Sequence, residues 1–265
     1  MILYKILGDN YSAAYEYLHL GIIAQKQDKL EKASHYYNLA REIYECKKDL
    51  YMAAKAYHQL GRLNQEKGDI KKSIYYYDIA RKIYENGSNY SEVSPVYHQL
   101  GMALQQEGDF EKANTYYLQA IKIFEDNEKL YSAAKVYHQL GRLAREKRSF
   151  IEAINYYEKA SVIFEDKQDW YSVATTLTAW GETLETQKYL PEALNTYIQA
   201  WIIYPQYEQN LISIEDIRIE ALARMLKQLE ESQFEIIWQE VTGEDCAGEI
   251  RDAIWSVRDN LETES

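Results

Sequence analysis

The chain has 265 residues, 46% hydrophobic and 27% charged, with only 11 Gly and 3 Pro. Composition of this kind excludes a turn-rich sheet protein and argues for helices. The net charge of −12 at pH 7 argues against general nucleic-acid binding, although local basic patches remain compatible with it. The charge is uneven, because residues 206–265 hold 5 Lys/Arg against 15 Asp/Glu, net −10, and residues 1–205 carry only −2.

Residues 1–10, MILYKILGDN, have no long apolar run and no small-residue cleavage site, so they do not read as a signal peptide. Leu3 and Tyr4 stand forty residues before Ile43 and Tyr44. The segment is therefore expected to be a partial repeat, serving as an N-terminal cap or marking a piece of a longer protein. No run of 18 apolar residues exists to span a membrane. Cys46 and Cys246 lie far apart in sequence and form no disulfide framework or metal cluster. They are expected to be free thiols in a reducing cytoplasm.

From residue 11 to 205 the chain repeats itself five times with a period of forty. The pentapeptide Tyr-His-Gln-Leu-Gly stands at 57–61, 97–101 and 137–141, with Tyr17-Leu18-His19-Leu20-Gly21 before it and the degenerate Leu177-Thr178-Ala179-Trp180-Gly181 after it. A small residue follows at 33, 73, 113, 153 and 193, then Tyr37, Tyr77, Tyr117, Tyr157 and Tyr197, then Ala40, Ala80, Ala120, Ala160 and Ala200. The offsets of four and three place each set on one buried helix face. Gly and Ala let two helices approach closely, and Tyr and Leu fill the space beside them. One such hairpin cannot bury its apolar face alone, and stacked neighbours complete the core.

First helices are predicted near 11–26, 51–66, 91–106, 131–146 and 171–186, and second helices near 30–45, 70–85, 110–125, 150–165 and 190–204. Gly68 and Gly108 are suited to end first helices. Asp69 and Asp109 are suited to cap the helices that follow. Ser149 with Glu152 has capping-box spacing, and Pro191 fits a first helical turn.

The pattern of aromatic, Leu-Gly, small residue, aromatic and Ala resembles the tetratricopeptide repeat family, over roughly residues 11–205. The common family period is 34, and the forty-residue form is similar to the repeats of kinesin light chains and of bacterial multidomain sensor proteins. Glu45, Glu85, Glu125 and Glu165 stand where the family has Pro. The resemblance implies an all-α fold, a right-handed alpha-alpha superhelix of about five helical hairpins. It also implies a protein-binding adaptor or scaffold with first helices on the concave side.

After Pro205 the periodicity changes. Residues 212–231 read as an amphipathic helix with Ile214, Ile217, Leu222, Met225, Leu226 and Leu229 on its apolar face. Residues 232–243 read as a second helix, with Ser232 and Glu235 as a capping box and Gly243 as its end, and residues 247–260 as a third. Residues 206–265 are thus an acidic C-terminal helical cap on the last repeat, with a partner-docking role as the alternative. Trp238 and Trp255 are expected in its core.

The resemblance places ligand-facing positions just after the motif Tyr, at His58, His98 and His138. Lys55 and Lys135 lie three residues before, and Arg62, Met102 and Arg142 four after. Gln65, Gln105 and Arg145 lie one turn further on. The spacing puts each set on one helix face. A cationic stripe in an acidic protein suits an acidic or carboxylate-bearing peptide segment. The bland alternative is ordinary solvated side chains paired with Glu66 and Glu146. The chaperone-type carboxylate clamp of the family is not expected, because Arg142 stands where that clamp has Asn. Neighbouring first helices, ~10 Å apart, place the three histidines poorly for one zinc. No metal or cofactor is expected, and the histidines are expected to line the groove, with binding sensitive to pH near 6.5.

No Gly-rich phosphate loop, HExxH or GxSxG occurs. The chain is expected to be a non-catalytic adaptor, with a sensor subunit or signalling fragment as the alternative and self-association open. The partner expected is a protein or peptide, with no nucleic acid and no membrane.

Overall fold

The computed structural model describes residues 10–88, 90–203 and 212–263, so the expected remnant at 1–9 and the residues around Pro205 lie outside it. Every described element is a helix. The helices are α1 (Asn10–Lys26), α2 (Leu30–Cys46), α3 (Leu50–Glu66), α4 (Ile70–Asn86), α5 (Tyr90–Glu107), α6 (Phe110–Asp126), α7 (Leu130–Glu146), α8 (Phe150–Asp166), α9 (Trp170–Thr186), α10 (Leu190–Ile203), α11 (Ile212–Gln228), α12 (Glu231–Thr242) and α13 (Gly248–Thr263). The chain forms two compact units, Met1–Lys129 and Leu130–Ser265. The first holds three hairpins, α1/α2, α3/α4 and α5/α6, and the second holds α7/α8 and α9/α10 followed by the three-helix cap. This is the tetratricopeptide-like all-α architecture that the repeat pattern predicts.

The forty-residue period is a twenty-residue module used twice. Helices start at 30, 50, 70, 90, 110, 130, 150, 170 and 190, so the turn within a hairpin has the same length as the turn between hairpins. Positions 28, 48, 68, 88, 108, 128, 148, 168 and 188 all adopt the left-handed conformation. Glycine fills only two of them, Gly68 and Gly108, and the rest, Lys48 and Arg148 among them, take φ between 54° and 66°. The turns, apart from the one at Ser88 whose next residue lies outside the described residues, close with the bonds of a Schellman motif, such as Asp69 N–H to Asn64 O at 2.8 Å and Gly68 N–H to Gln65 O at 3.0 Å. The residue that ends one helix then caps the next. Asp49, Asp69, Asp109 and Asp169 each accept a bond from the backbone N–H three residues on.

The predicted capping boxes are not made. Ser149 is the N-cap of α8 but its side chain makes no cap bond. Its own N–H is already bound to Ala144 O at 2.8 Å, so Glu152 has no donor to return to. Helix α12 starts before Ser232, with Glu230 at its N-cap and no side-chain cap bond. Glu235 instead accepts from Arg251 at 3.1 Å. Gly243 ends that helix at φ 79°, as expected.

The Gly–Tyr pairs explain the hairpins. A Cβ on Gly61 would lie 2.4 Å from a ring carbon of Tyr77, and the same holds at each repeat, out to Gly181 against Tyr197 at 2.7 Å. Tyr37, Tyr77, Tyr117 and Tyr157 are fully buried. The Tyr one residue earlier stacks elsewhere: Tyr36 lies against Tyr17, Tyr116 against Tyr97 and Tyr156 against Tyr137, with centroids 5.6–6.2 Å apart. Both tyrosines of a pair thus pack against the first helix of their own hairpin, one over the glycine and one on the motif Tyr.

In the second unit the cap buries Leu222, Met225, Leu226, Phe234, Trp238 and Ile254 against Leu194, Tyr197 and Ile198 of α10, and Trp255 packs at the margin. Trp238 is core, as expected. Side-chain burial of Ile214 and Ile217 lies outside the described residues.

Candidate functional site

Two hydrogen-bond ladders decide which polar residues of the first helices serve the fold. Tyr37, Tyr77 and Tyr117 donate to Gln25, Gln65 and Gln105 at 2.8, 3.1 and 2.9 Å. Gln suits that position because its carbonyl accepts while its amide donates onward. Gln25 donates to Glu66 at 2.5 Å and Gln65 to Gln106 at 2.9 Å, each in the next repeat. In the second ladder the motif Tyr57 and Tyr97 donate to Glu45 and Glu85 of the preceding helix, the latter at 2.7 Å. The Glu that replaces the family's Pro therefore clasps the next repeat.

The fourth repeat breaks the first ladder. Arg145 stands at the Gln position and cannot accept a bond. It donates to Glu182, and the buried Tyr157 hydroxyl is left without a hydrogen-bond partner of normal geometry. In the fifth repeat Glu185 takes the position. It accepts from Tyr197 at 2.9 Å, and Arg224 and Gln228 of α11 bind it at 3.3 and 3.0 Å. Burial pushes its carboxyl up, but the bonds from Arg224, Tyr197 and Gln228 outweigh this and hold it below the usual range.

The remaining expected site residues gather by unit. In the first, Lys55, His58 and Met52 of α3, Leu18 and Ile22 of α1, and Pro95 of α5 line a cleft of about 340 Å³. Pro95 lies inside α5, and the Ser91 carbonyl that it leaves without an N–H accepts from the Ser94 hydroxyl at 3.2 Å. Arg62 lines a neighbouring cleft with Gln25, Lys26 and Glu66. His98, Met102 and Gln105 follow on α5, half-buried. In the second unit His138, Arg142, Arg145, Thr178, Glu182 and Arg218 line a cleft of about 390 Å³.

Lys55 and Lys135 hold their ammonium groups 4.6 and 4.4 Å from the ring centres of Tyr51 and Tyr131, one turn back on the same helix. Arg62 has only a long bond to Gln59, 3.4 Å. Among the described residues Lys55, Arg62, Lys135 and Arg142 make no ion pair, whereas Arg41, Arg81, Arg224 and Arg251 all do. Arg62 and Arg142 are thus not held by Glu66 or Glu146.

The histidines correct one expectation. Burial first, then the charge of Arg62, pushes His58 down to about 4. Burial, Arg142 and Arg145 push His138 down to about 4. Neither of these two rings titrates near pH 6.5, so neither drives the expected pH-sensitive binding. The Nε2 of His58 is buried without a hydrogen-bond partner. His138 Nδ1 lies 3.0 Å from the hydroxyl of Thr176, where the two preceding repeats have Val96 and Val136. Among the described residues no group of His, Cys, Asp or Glu is placed to hold a metal ion.

Arg218 also lines this cleft, and sequence reading missed it. It is only 7% exposed. A signal existed, since Arg218 stands at i, i+4, i+7 and i+8 spacing with Leu222, Met225 and Leu226, on the apolar stripe of its helix.

Residues 51–126 and 134–161 match models of the tetratricopeptide repeat. Over those residues the chain is similar to tetratricopeptide repeats, a fold that typically serves protein–protein interaction and is typically non-catalytic. Its fold is similar to BtubC (BKLC) from P. vanneervenii, at 23% identity and TM-score 0.69 over 79% of this chain and 87% of that one. It is similar to a protein of Podosopora anserina assigned as a kinesin light chain, at 16% identity and TM-score 0.64 over 75% and 98%. A signal-transduction ATPase with numerous domains from Pyrococcus horikoshii, which carries a tetratricopeptide repeat sensor, has TM-score 0.74 at 17% identity. That likeness covers 96% of this chain and 38% of that one. No curated protein matches the chain.

Proposed function

We propose that the protein is an adaptor that takes an acidic, carboxylate-bearing segment of a protein partner on its first-helix face. The observation that carries this reading is the set Lys55, Arg62, Lys135 and Arg142. These four cations lie on first helices, and none has a carboxylate partner among the described residues. Lys55 and Arg62 in the first unit, and Lys135 and Arg142 in the second, hold equivalent repeat positions, and Lys55, Arg62 and Arg142 line clefts, where unneutralised cations favour an incoming anion. The reading keeps the protein in the reducing cytoplasm, with Cys46 and Cys246 as thiols.

Affinity capture from source-cell lysate, with wild type beside a form carrying Glu at all four positions, tests it. A partner lost from the reversed form and at high salt supports the electrostatic face. A partner retained by both forms refutes it and moves the contact elsewhere.

A second reading, a regulatory sensor whose ligand changes the curvature of the repeats, draws on the likeness to the sensor-bearing ATPase of Pyrococcus horikoshii. A change in small-angle scattering when a captured partner is added would favour it over a passive adaptor.

A further inference from the structure

The first four repeats fill one place in each hairpin with two rings. The motif Tyr lies against the first Tyr of the pair, as Tyr17 on Tyr36, Tyr57 on Tyr76, Tyr97 on Tyr116 and Tyr137 on Tyr156, with centroids 5.6–6.2 Å apart. The fourth repeat adds a cation, because the Lys159 ammonium stands 5.3 Å from the centre of the Tyr137 ring. One period further on, the same three positions hold Leu177, Thr196 and Gln199. Both rings and the cation are gone, and all three replacements line a cleft of about 510 Å³. The cleft lies wholly in the second unit, among α8, α9, α10 and α12. It shares no lining residue with the arginine-lined cleft. Sequences depart from their own structural rules mainly where function outweighs stability.

The chemistry of the lining defines what would fill the gap. One side is apolar. Leu177 is buried, and the half-buried Trp180 stands where the three preceding repeats have Leu60, Leu100 and Leu140. The rim is acidic. Glu192 and Glu240 are exposed and make no ion pair among the described residues, and no Lys, Arg or His lines the cleft. Glu192 has a counterpart in the fourth repeat, Glu152, whereas Lys159 has none in the fifth. The Thr196 hydroxyl donates to Glu192 O at 2.8 Å, so its proton is committed and it offers only an acceptor.

We propose that this cleft binds a small organic cation bearing an aromatic ring, an arylalkylamine. The ring takes the place of the missing tyrosine pair, against Leu177 and Trp180. The ammonium takes the place of Lys159 and faces the carboxylates of Glu192 and Glu240. The volume is ordinary for a small-molecule site. Because Glu240 belongs to α12, the bound ligand joins the cap to the last repeat.

The test uses the full chain, with tyramine as the probe and dissociation constants from ligand-observed NMR. Three analogues change one feature each. Para-ethylphenol lacks the charge, para-hydroxyphenylacetate reverses it, and cyclohexylethylamine lacks the aromatic ring. The expected result is that tyramine binds and that each analogue is weaker by about threefold or more. Glu192→Gln and Glu240→Gln should each weaken tyramine by about threefold, an effect that fades at high salt. A variant with Leu177→Tyr, Thr196→Tyr and Gln199→Lys restores the side chains of the fourth repeat. It should lose tyramine binding while its Tm stays level or rises. Glu192 and Glu240 are exposed, so their Gln variants keep the test valid if the filled variant does not fold.

Tyramine binding that survives in the folded, filled variant overturns the proposal, as does no binding to the wild type. Equal binding of para-ethylphenol, or undiminished tyramine binding in both Gln variants, overturns the choice of a cation. Equal binding of cyclohexylethylamine overturns the aromatic ring. Tighter binding of the blocked dipeptide acetyl-Tyr-Lys-amide overturns the small-molecule ligand in favour of a segment of a partner protein.

Discussion

Tyrosine is the working residue of this protein, and at two repeat positions its hydroxyl does what phenylalanine could not. The second Tyr of each pair fills the notch over a glycine, and in the first three repeats it sends its hydroxyl to the Gln of its own repeat. The motif Tyr reaches a Glu of the preceding helix. Where the hydroxyl finds no partner, as at Tyr44, the later repeats use Phe124 and Phe164 instead. The glycine is equally constrained. Gly61→Ala would place Cβ 2.4 Å from Tyr77, whose ring is fully buried and cannot swing away. It should destabilise the fold by about 1–3 kcal/mol, the usual cost of overpacking. Chemical denaturation would check this, and a change within about 0.5 kcal/mol would mean that the hairpin is looser than its packing implies.

At the scale of the element, the nine left-handed turns form a controlled series. Gly68 and Gly108 have nothing within 4 Å of an added Cβ, so Gly68→Ala tests backbone strain alone and should cost about 1 kcal/mol. Arg148 holds the same conformation with a side chain. Arg148→Gly relieves that strain but adds freedom to the unfolded chain, and should change stability by less than about 1 kcal/mol, in the favourable direction. Opposite signs for the two substitutions are the expected outcome. Equal destabilisation by both would show that the side chain at 148 contributes contacts that outweigh its backbone strain.

At the scale of the whole molecule, buried neutral histidines make stability depend on pH. His58 and His138 fall to about 4 in the folded state, against 6.5 when free. The unfolded chain therefore takes up protons that the folded chain refuses. Their contribution is complete above pH 6.5 and is lost as pH falls toward 4. Between pH 7.5 and 5 the unfolding free energy should drop by on the order of 2 kcal/mol for each ring, and His58→Gln with His138→Gln should flatten that drop. Affinity for an acidic segment should stay level from pH 7.5 to 5.5. A flat stability curve in the wild type would show that the rings are hydrated and titrate alike in the folded and unfolded chain.

Much of this was legible in the sequence. Helix ends were predicted to within one or two residues through ten helices, because the period of forty and the spacing of Gly, Tyr and Ala repeat the same packing problem five times. Gly68, Asp69, Gly108 and Asp109 announced their turns. Non-glycine residues in the other turns were not legible, because the Schellman bonds, and not the residue type, hold φ positive there.

The roles of the candidate site residues divided in the same way. Lys55, Arg62, Lys135 and Arg142 could be placed on one helix face from spacing. Which polar residues were already engaged could not. Gln25, Gln65 and Gln105 are twelve residues from the Tyr they accept, across a hairpin whose closeness only the folded chain sets. The sequence by itself determined the hairpins, since local periodicity and small residues dictate helix and contact. Tertiary structure alone decided that Arg145 turns to Glu182 instead of Tyr157 and that Arg218 and Arg142, seventy-six residues apart, line one cleft, because burial and hydrogen-bond geometry depend on neighbours distant in sequence.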